Sequence, residues 1–201
     1  MEIPQINRLL LVILGTVACS SCGVASAEVN FFQITDAHIF EPKKDDVEGN
    51  KEALRWCINQ INARLDAKAD YKFIVFTGDL DLEAFRRTGD QEEQKDLVEA
   101  AKQLAGIVKD SKVKQWLFLP GNNDLVGEDP AKIGTFHHFI KALQEQLPGM
   151  QIVDFCPLDG DDSSGVLEEG GCRFIGFNNA SFKSNESAKD AETFEASQKK
   201  M

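Results

Sequence analysis

Apolar positions fall in two alternating patterns along this chain. Val29–Thr35, Phe73–Thr77 and Val113–Leu119 read as strands, each ending beside an Asp, Gly or Pro-Gly turn, and Phe73–Thr77 is a continuous apolar run of the kind buried parallel strands show. Between them, Asn50–Ala67 and Glu92–Val108 repeat apolar residues at three- and four-residue spacing. Leu54, Cys57, Ile58, Ile61 and Leu65 form one stripe; Leu97, Ala101, Leu104 and Val108 form the other. That is the signature of two amphipathic helices. Strand, helix, strand, helix, strand implies two crossover units and a parallel sheet, so the fold class is α/β. A further helix at about Ala131–Leu147 leads through Pro148-Gly149 to a strand at Gln151–Phe155. The loop Leu158–Gly165 and a hairpin-like pair near Val166–Glu168 and Arg173–Phe177 follow. After Phe182 the chain turns polar, with Phe194 as its one aromatic residue.

The first residues follow a different pattern. Arg8 precedes an apolar run, Leu9 to Ala18, and Ala25-Ser26-Ala27 has the small-x-small form of a cleavage site. An apolar core of roughly ten residues is about half of what a bilayer-spanning helix needs. The expectation is therefore a signal peptide at 1–27, export to a periplasmic or extracellular space, and no stable membrane span. The organisation expected is a domain at 28–182 and a polar tail at 183–201. The net charge of −11 is unchanged by cleavage, because residues 1–27 carry one acid, Glu2, and one base, Arg8. An acidic surface argues against nucleic acid as a partner. It still allows a phosphorylated substrate, because bound cations reverse the local field. Cys57 reads as a buried thiol on its helix stripe. Cys156 and Cys172 bracket the Gly/Asp/Ser-rich loop, and in an exported chain they can form a disulfide or remain thiols. No Cys-x-x-Cys pair is present, which argues against structural zinc.

The chemistry lies where the strands end. Asp36-Ala37-His38, Gly78-Asp79 and Gly121-Asn122-Asn123-Asp124 stand in order, each after a predicted strand. Alternate strand residues point the same way, so Asp36 and His38 can project together as metal ligands. Asp79 reaches the same rim from the second strand and Asn122 from the third, since ligands gather at the carboxyl ends of an open α/β sheet. Carboxylate can bridge two cations, and carboxamide oxygen suits a hard or borderline metal. Gly78 and Gly121 are expected to let the backbone turn sharply there. Asp81 and Glu83 read either as acceptors behind the ligands or as solvated loop acids. Asp159, Asp161 and Asp162 lack the ordered spacing of a calcium loop. His137 and His138 are expected on a helix surface or half-buried, diverging by about 100°; the second could face the cleft.

These blocks resemble the calcineurin-like metallophosphoesterase family, which carries Asp-x-His, Gly-Asp and Gly-Asn-His-Asp/Glu blocks. The resemblance covers about residues 29–180, and Arg173–Asn178 is similar to the family's following strand. It implies a layered α/β sandwich of which this chain holds about the first half to two-thirds. By the same resemblance Asp36 and His38 bind a first metal, Asp79 bridges, and Asn122 binds a second. The cofactors implied are two divalent ions, from iron, manganese or zinc. Asn123 and Asp124 fall beside the leaving group, with Asp124 orienting its neighbour. The substrate implied is a phosphorylated small molecule or a polyphosphate-like anhydride.

Two departures qualify the resemblance. Asn123 stands where the family usually has His, and an amide donates a hydrogen bond without transferring a proton. The family's later blocks, a lone His and Gly-His-x-His, have no match among the three histidines His38, His137 and His138. The expectation is an exported metal-dependent phosphoesterase of which this is an N-terminal portion, weak or inactive as this chain alone, with the rest of the domain supplied by a full-length chain. The alternative is a non-catalytic exported protein that keeps the fold as a remnant or binding module.

Overall fold

The computed structural model describes residues 11–19, 27–40, 46–67, 70–85, 90–125, 134–156 and 165–176. Five strands form the main sheet in sequence order: β1 (Leu11–Cys19), β2 (Ala27–Thr35), β3 (Tyr71–Thr77), β4 (Gln115–Leu119) and β5 (Gln151–Asp154). β2 to β5 run parallel, and β1 lies antiparallel on the outer edge of β2. Three crossovers join the parallel strands through α1 (Val47–Asp66), α2 (Asp90–Val108) and, after the single turn α3 (Asn122–Leu125), α4 (Gly134–Gln146). A parallel sheet wound in sequence order with crossovers of one hand puts its helices on one face.

Register shows how the faces divide. Phe32, Ile74, Trp116 and Ile152 are paired across β2 to β5 and form one row. That row packs with Leu54, Ile58 and Ile61 of α1, Leu97, Ala101 and Leu104 of α2, and Phe136, Phe139 and Ile140 of α4. The opposite face carries Val29, Phe73, Leu117 and Phe155. It is covered by the hairpin β6 (Val166–Glu169) and β7 (Cys172–Ile175), whose Phe174 ring meets Phe73 edge-on at 5.0 Å between centroids. Burial on both faces explains why Phe73–Phe76 of β3 reads as an unbroken apolar run rather than an alternating one. Cys57 sits in the α1 stripe, and burial pushes its thiol up to about 11, so it is core.

The expected strands and helices are present with shifted ends, and the mixed α/β class stands. The run expected to be a signal peptide pairs residue for residue with β2, from Leu11 against Thr35 to Cys19 against Ala27. Cys172 is disulfide-bonded, and Cys156 is not the cysteine it is bonded to. That excludes a Cys156–Cys172 bridge. The polar tail 183–201 and the acids Asp159, Asp161 and Asp162 lie outside the described residues, as does the Glu83 side chain.

Candidate metal centre

Two loops at the carboxyl ends of β2 and β3 lock together and build the site. The backbone N–H of Asp36 donates to the Gly78 carbonyl at 3.2 Å, and that of His38 donates to the Asp79 carbonyl at 2.8 Å. The chain turns so tightly here that Asp36, His38, Asp79 and Asp81 all have positive φ, at 56°, 45°, 55° and 70°. Among the described residues, no other non-glycine has positive φ. Such conformations cost of order 1–3 kcal/mol each unless the surroundings hold them, and they gather where function requires a fixed geometry. Gly78, at φ 88°, is required by the turn itself. Gly121 is required for a different reason than expected. Its φ is not positive, but a Cβ there would overlap the Asp79 carboxylate and backbone nitrogen.

The result is a cradle. Asp36, His38 and Asp79 each present one donor atom, and the three atoms lie within 4.8 Å of one another. Two carboxylate oxygens and an imidazole nitrogen are donors that suit a divalent cation. Each side chain is also held by a polar contact with its surroundings. Thr35 Oγ1 donates to Asp36 Oδ2 at 2.6 Å. The backbone N–H of Asn123 donates to Asp79 Oδ1 at 3.1 Å. His38 Nδ1 meets the Asp81 carboxylate at 2.9 and 3.0 Å, while its Nε2 lies 3.9 Å from Asp36 Oδ1. The Asn50 side chain at the start of α1 donates to the His38 carbonyl at 3.0 Å.

Gly121-Asn122-Asn123-Asp124 closes the rim from β4. Asn122 is exposed, and its amide nitrogen donates to Asn123 Oδ1 at 2.8 Å. Asn123 in turn donates from Nδ2 to Asp81 Oδ1 at 3.2 Å. Asp124 is fully buried and bonds to backbone. Its Oδ1 accepts from Leu80 and Leu82 N–H at 3.0 and 3.2 Å, and its Oδ2 accepts from Gly121 N–H at 2.9 Å. Burial pushes its carboxyl up to about 7; the backbone donors oppose that shift and the charge of Asp79 adds to it. Asp124 thus ties the β3 loop to the β4 loop.

Of the residues singled out from sequence, Asp36, His38 and Asp79 converge, and Asn122 and Asn123 join them through hydrogen bonds. Asp81 resolves to the first of its two readings. It is 1 % exposed and clasps the His38 ring. The helix histidines stand apart from the cradle. His138 is exposed, and His137 turns inward to pair through Nδ1 with Asp154 at the end of β5. That contact fastens α4 to the sheet.

The calcineurin-like phosphoesterase family model matches residues 29–195, which spans β2 from Val29, the other parallel strands, the helices and every residue of the cradle. No curated protein and no solved structure matches the chain.

Proposed function

The chain belongs to the calcineurin-like phosphoesterase family, and from that premise we propose that it hydrolyses phosphoesters or phosphoanhydrides using divalent ions held by Asp36, His38, Asp79 and Asn122. The observation that carries this reading is the convergence of three ligand atoms from two strand ends within 4.8 Å. The chemistry such ions supply is charge stabilisation at phosphoryl oxygens and a lowered pKa for water. The residues supply the rest. Asp36 and Asp79 concentrate negative charge at the rim, which attracts cations to a site that would otherwise repel an anionic substrate. Asp124 holds the loop that presents Asn122 and Asn123.

Asn123 sets the leaving-group preference. A carboxamide can donate a hydrogen bond to a departing oxygen but cannot protonate it at neutral pH. Phosphate leaving from an anhydride needs less protonation than an alkoxide does, so anhydrides and activated esters are the favoured substrates. Asn123→His then improves alkyl ester turnover. The assay is manganese-dependent hydrolysis of an activated phosphodiester, expected to vanish with chelator and in Asp79→Ala. Equal efficiency on an alkyl phosphate and a polyphosphate removes the leaving-group part of the proposal. Inertness of the folded, metal-loaded, full-length protein replaces the enzyme with a non-catalytic binding role.

Export is the remaining part of the reading, supported by Arg8, the Leu9–Ala18 run and Ala25-Ser26-Ala27. The intact mass of the native protein tests it. A chain starting at Glu28 is expected, and a chain retaining the first residues refutes it.

A further inference from the structure

Four side chains in the rim form a single file. Asn122 Nδ2 donates to Asn123 Oδ1, Asn123 Nδ2 donates to Asp81 Oδ1, and Asp81 clasps His38 Nδ1. Both ends of the file are residues that the proposed function gives to metal. At one end the bond occupies the Asn122 amide nitrogen, so the group is turned with its oxygen available as a ligand. At the other end the carboxylate engages Nδ1, which turns Nε2 toward Asp36. Both middle members are also anchored to the backbone frame. Asp81 is buried at φ 70°, and the Asn123 N–H holds Asp79.

We propose that Asn122, Asn123, Asp81 and His38 act as one hydrogen-bonded chain that orients the ligand atoms of both metal positions together, making Asp81 and Asn123 positioning residues. This rests on the phosphoesterase reading for the identity of the metal ligands. A consequence is that Asn123 does more than stand in for a proton donor. Its carboxamide accepts on one side and donates on the other, and that bifunctional amide joins a neutral ligand to a carboxylate–imidazole pair. Groups behind a metal's ligands typically change affinity by roughly 10–100-fold when replaced, because they fix ligand orientation and tautomer.

The test is a double-mutant cycle on manganese affinity, read by electron paramagnetic resonance on the full chain. Asp81→Asn keeps the side-chain shape and tolerates the left-handed backbone. Asn123→Ala removes the central amide. Asp81→Asn is expected to weaken binding roughly 10–100-fold. The double variant is expected to be weaker than Asp81→Asn by much less than the loss Asn123→Ala causes alone, because both break the same chain. Effects that simply multiply overturn the proposal, as does unchanged affinity in Asp81→Asn. A second readout is nitrogen NMR of the His38 ring in metal-free protein. It is expected to show the proton on Nδ1 in the wild type and a shift in the tautomer balance in Asp81→Asn. A wild-type ring protonated on Nε2 overturns the chain even if metal binds. Failure of the wild type to bind manganese instead refutes the phosphoesterase reading, and the ring spectrum still decides the role of Asp81.

Discussion

Asp124 is the residue that joins the β3 and β4 loops of the site. Three backbone N–H groups point at its two oxygens, and no water-exposed surface remains to it. Asp124→Asn puts an NH2 group against N–H donors. It is expected to destabilise the protein by about 1–3 kcal/mol, the usual cost of a buried donor left unsatisfied, as measured by urea unfolding. An unchanged midpoint would show that the loops do not rely on it. At this scale the sequence was informative wherever a residue's position along a strand decides its direction. Asp36, His38 and Asp79 follow strand-like stretches, so their convergence could be read from the sequence alone. Asp81 could not be settled that way. An acid two positions beyond a Gly-Asp turn looks the same whether solvated or buried, and what buries this one is the pairing of two loops distant in sequence. His137 raised the same difficulty, since periodicity places it on a helix but does not reveal Asp154 opposite it.

Element boundaries show how local chemistry trims a periodic pattern. Helix α1 begins at Val47, ahead of the expected Asn50, because the Asp46 carboxylate accepts from Gly49 N–H at 3.1 Å and caps the first turn. Strand β4 begins at Gln115 and not Val113. The Val113 carbonyl is taken by Ser111 Oγ at 3.0 Å and Trp116 Nε1 at 3.1 Å, which holds it outside the ladder. The single turn α3 and the 3-10 turn Leu82–Phe85 were not anticipated, since an element of four residues is too short to show a period. Both sit at the rim and are shaped by Asp124. The loops that carry them approach each other at Gly78 and Gly121, where side chains would overlap backbone. Gly121→Ala is therefore expected to displace Asp79 and weaken manganese binding by at least roughly 10-fold, comparable to the loss of a group that orients a ligand. Calorimetric titration checks this, and wild-type affinity in a folded variant would contradict it.

For the whole molecule, the order of strands decides where chemistry can occur. Four parallel strands in sequence order bring every β-to-α loop to one edge, and the acids, the imidazole and the carboxamides collect there. That much followed from the alternation of apolar runs and helical stripes. The outer edge of the sheet did not. The Leu9–Ala18 run has the composition of an export signal and also of a strand, and in the structure Leu11–Cys19 covers the edge of β2. Hydrophobicity alone does not distinguish the two, because membrane insertion and strand pairing both draw on the same apolar residues. Among the described residues no helix is long and apolar enough to cross a membrane.

The divalent metal cradle at the strand ends can be tested by an anomalous difference map from crystals of the full chain grown with manganese. A peak is expected in contact with Asp36, His38 Nε2 and Asp79, lost in Asp79→Ala. A map with no peak there, or with manganese bound only elsewhere, would contradict it.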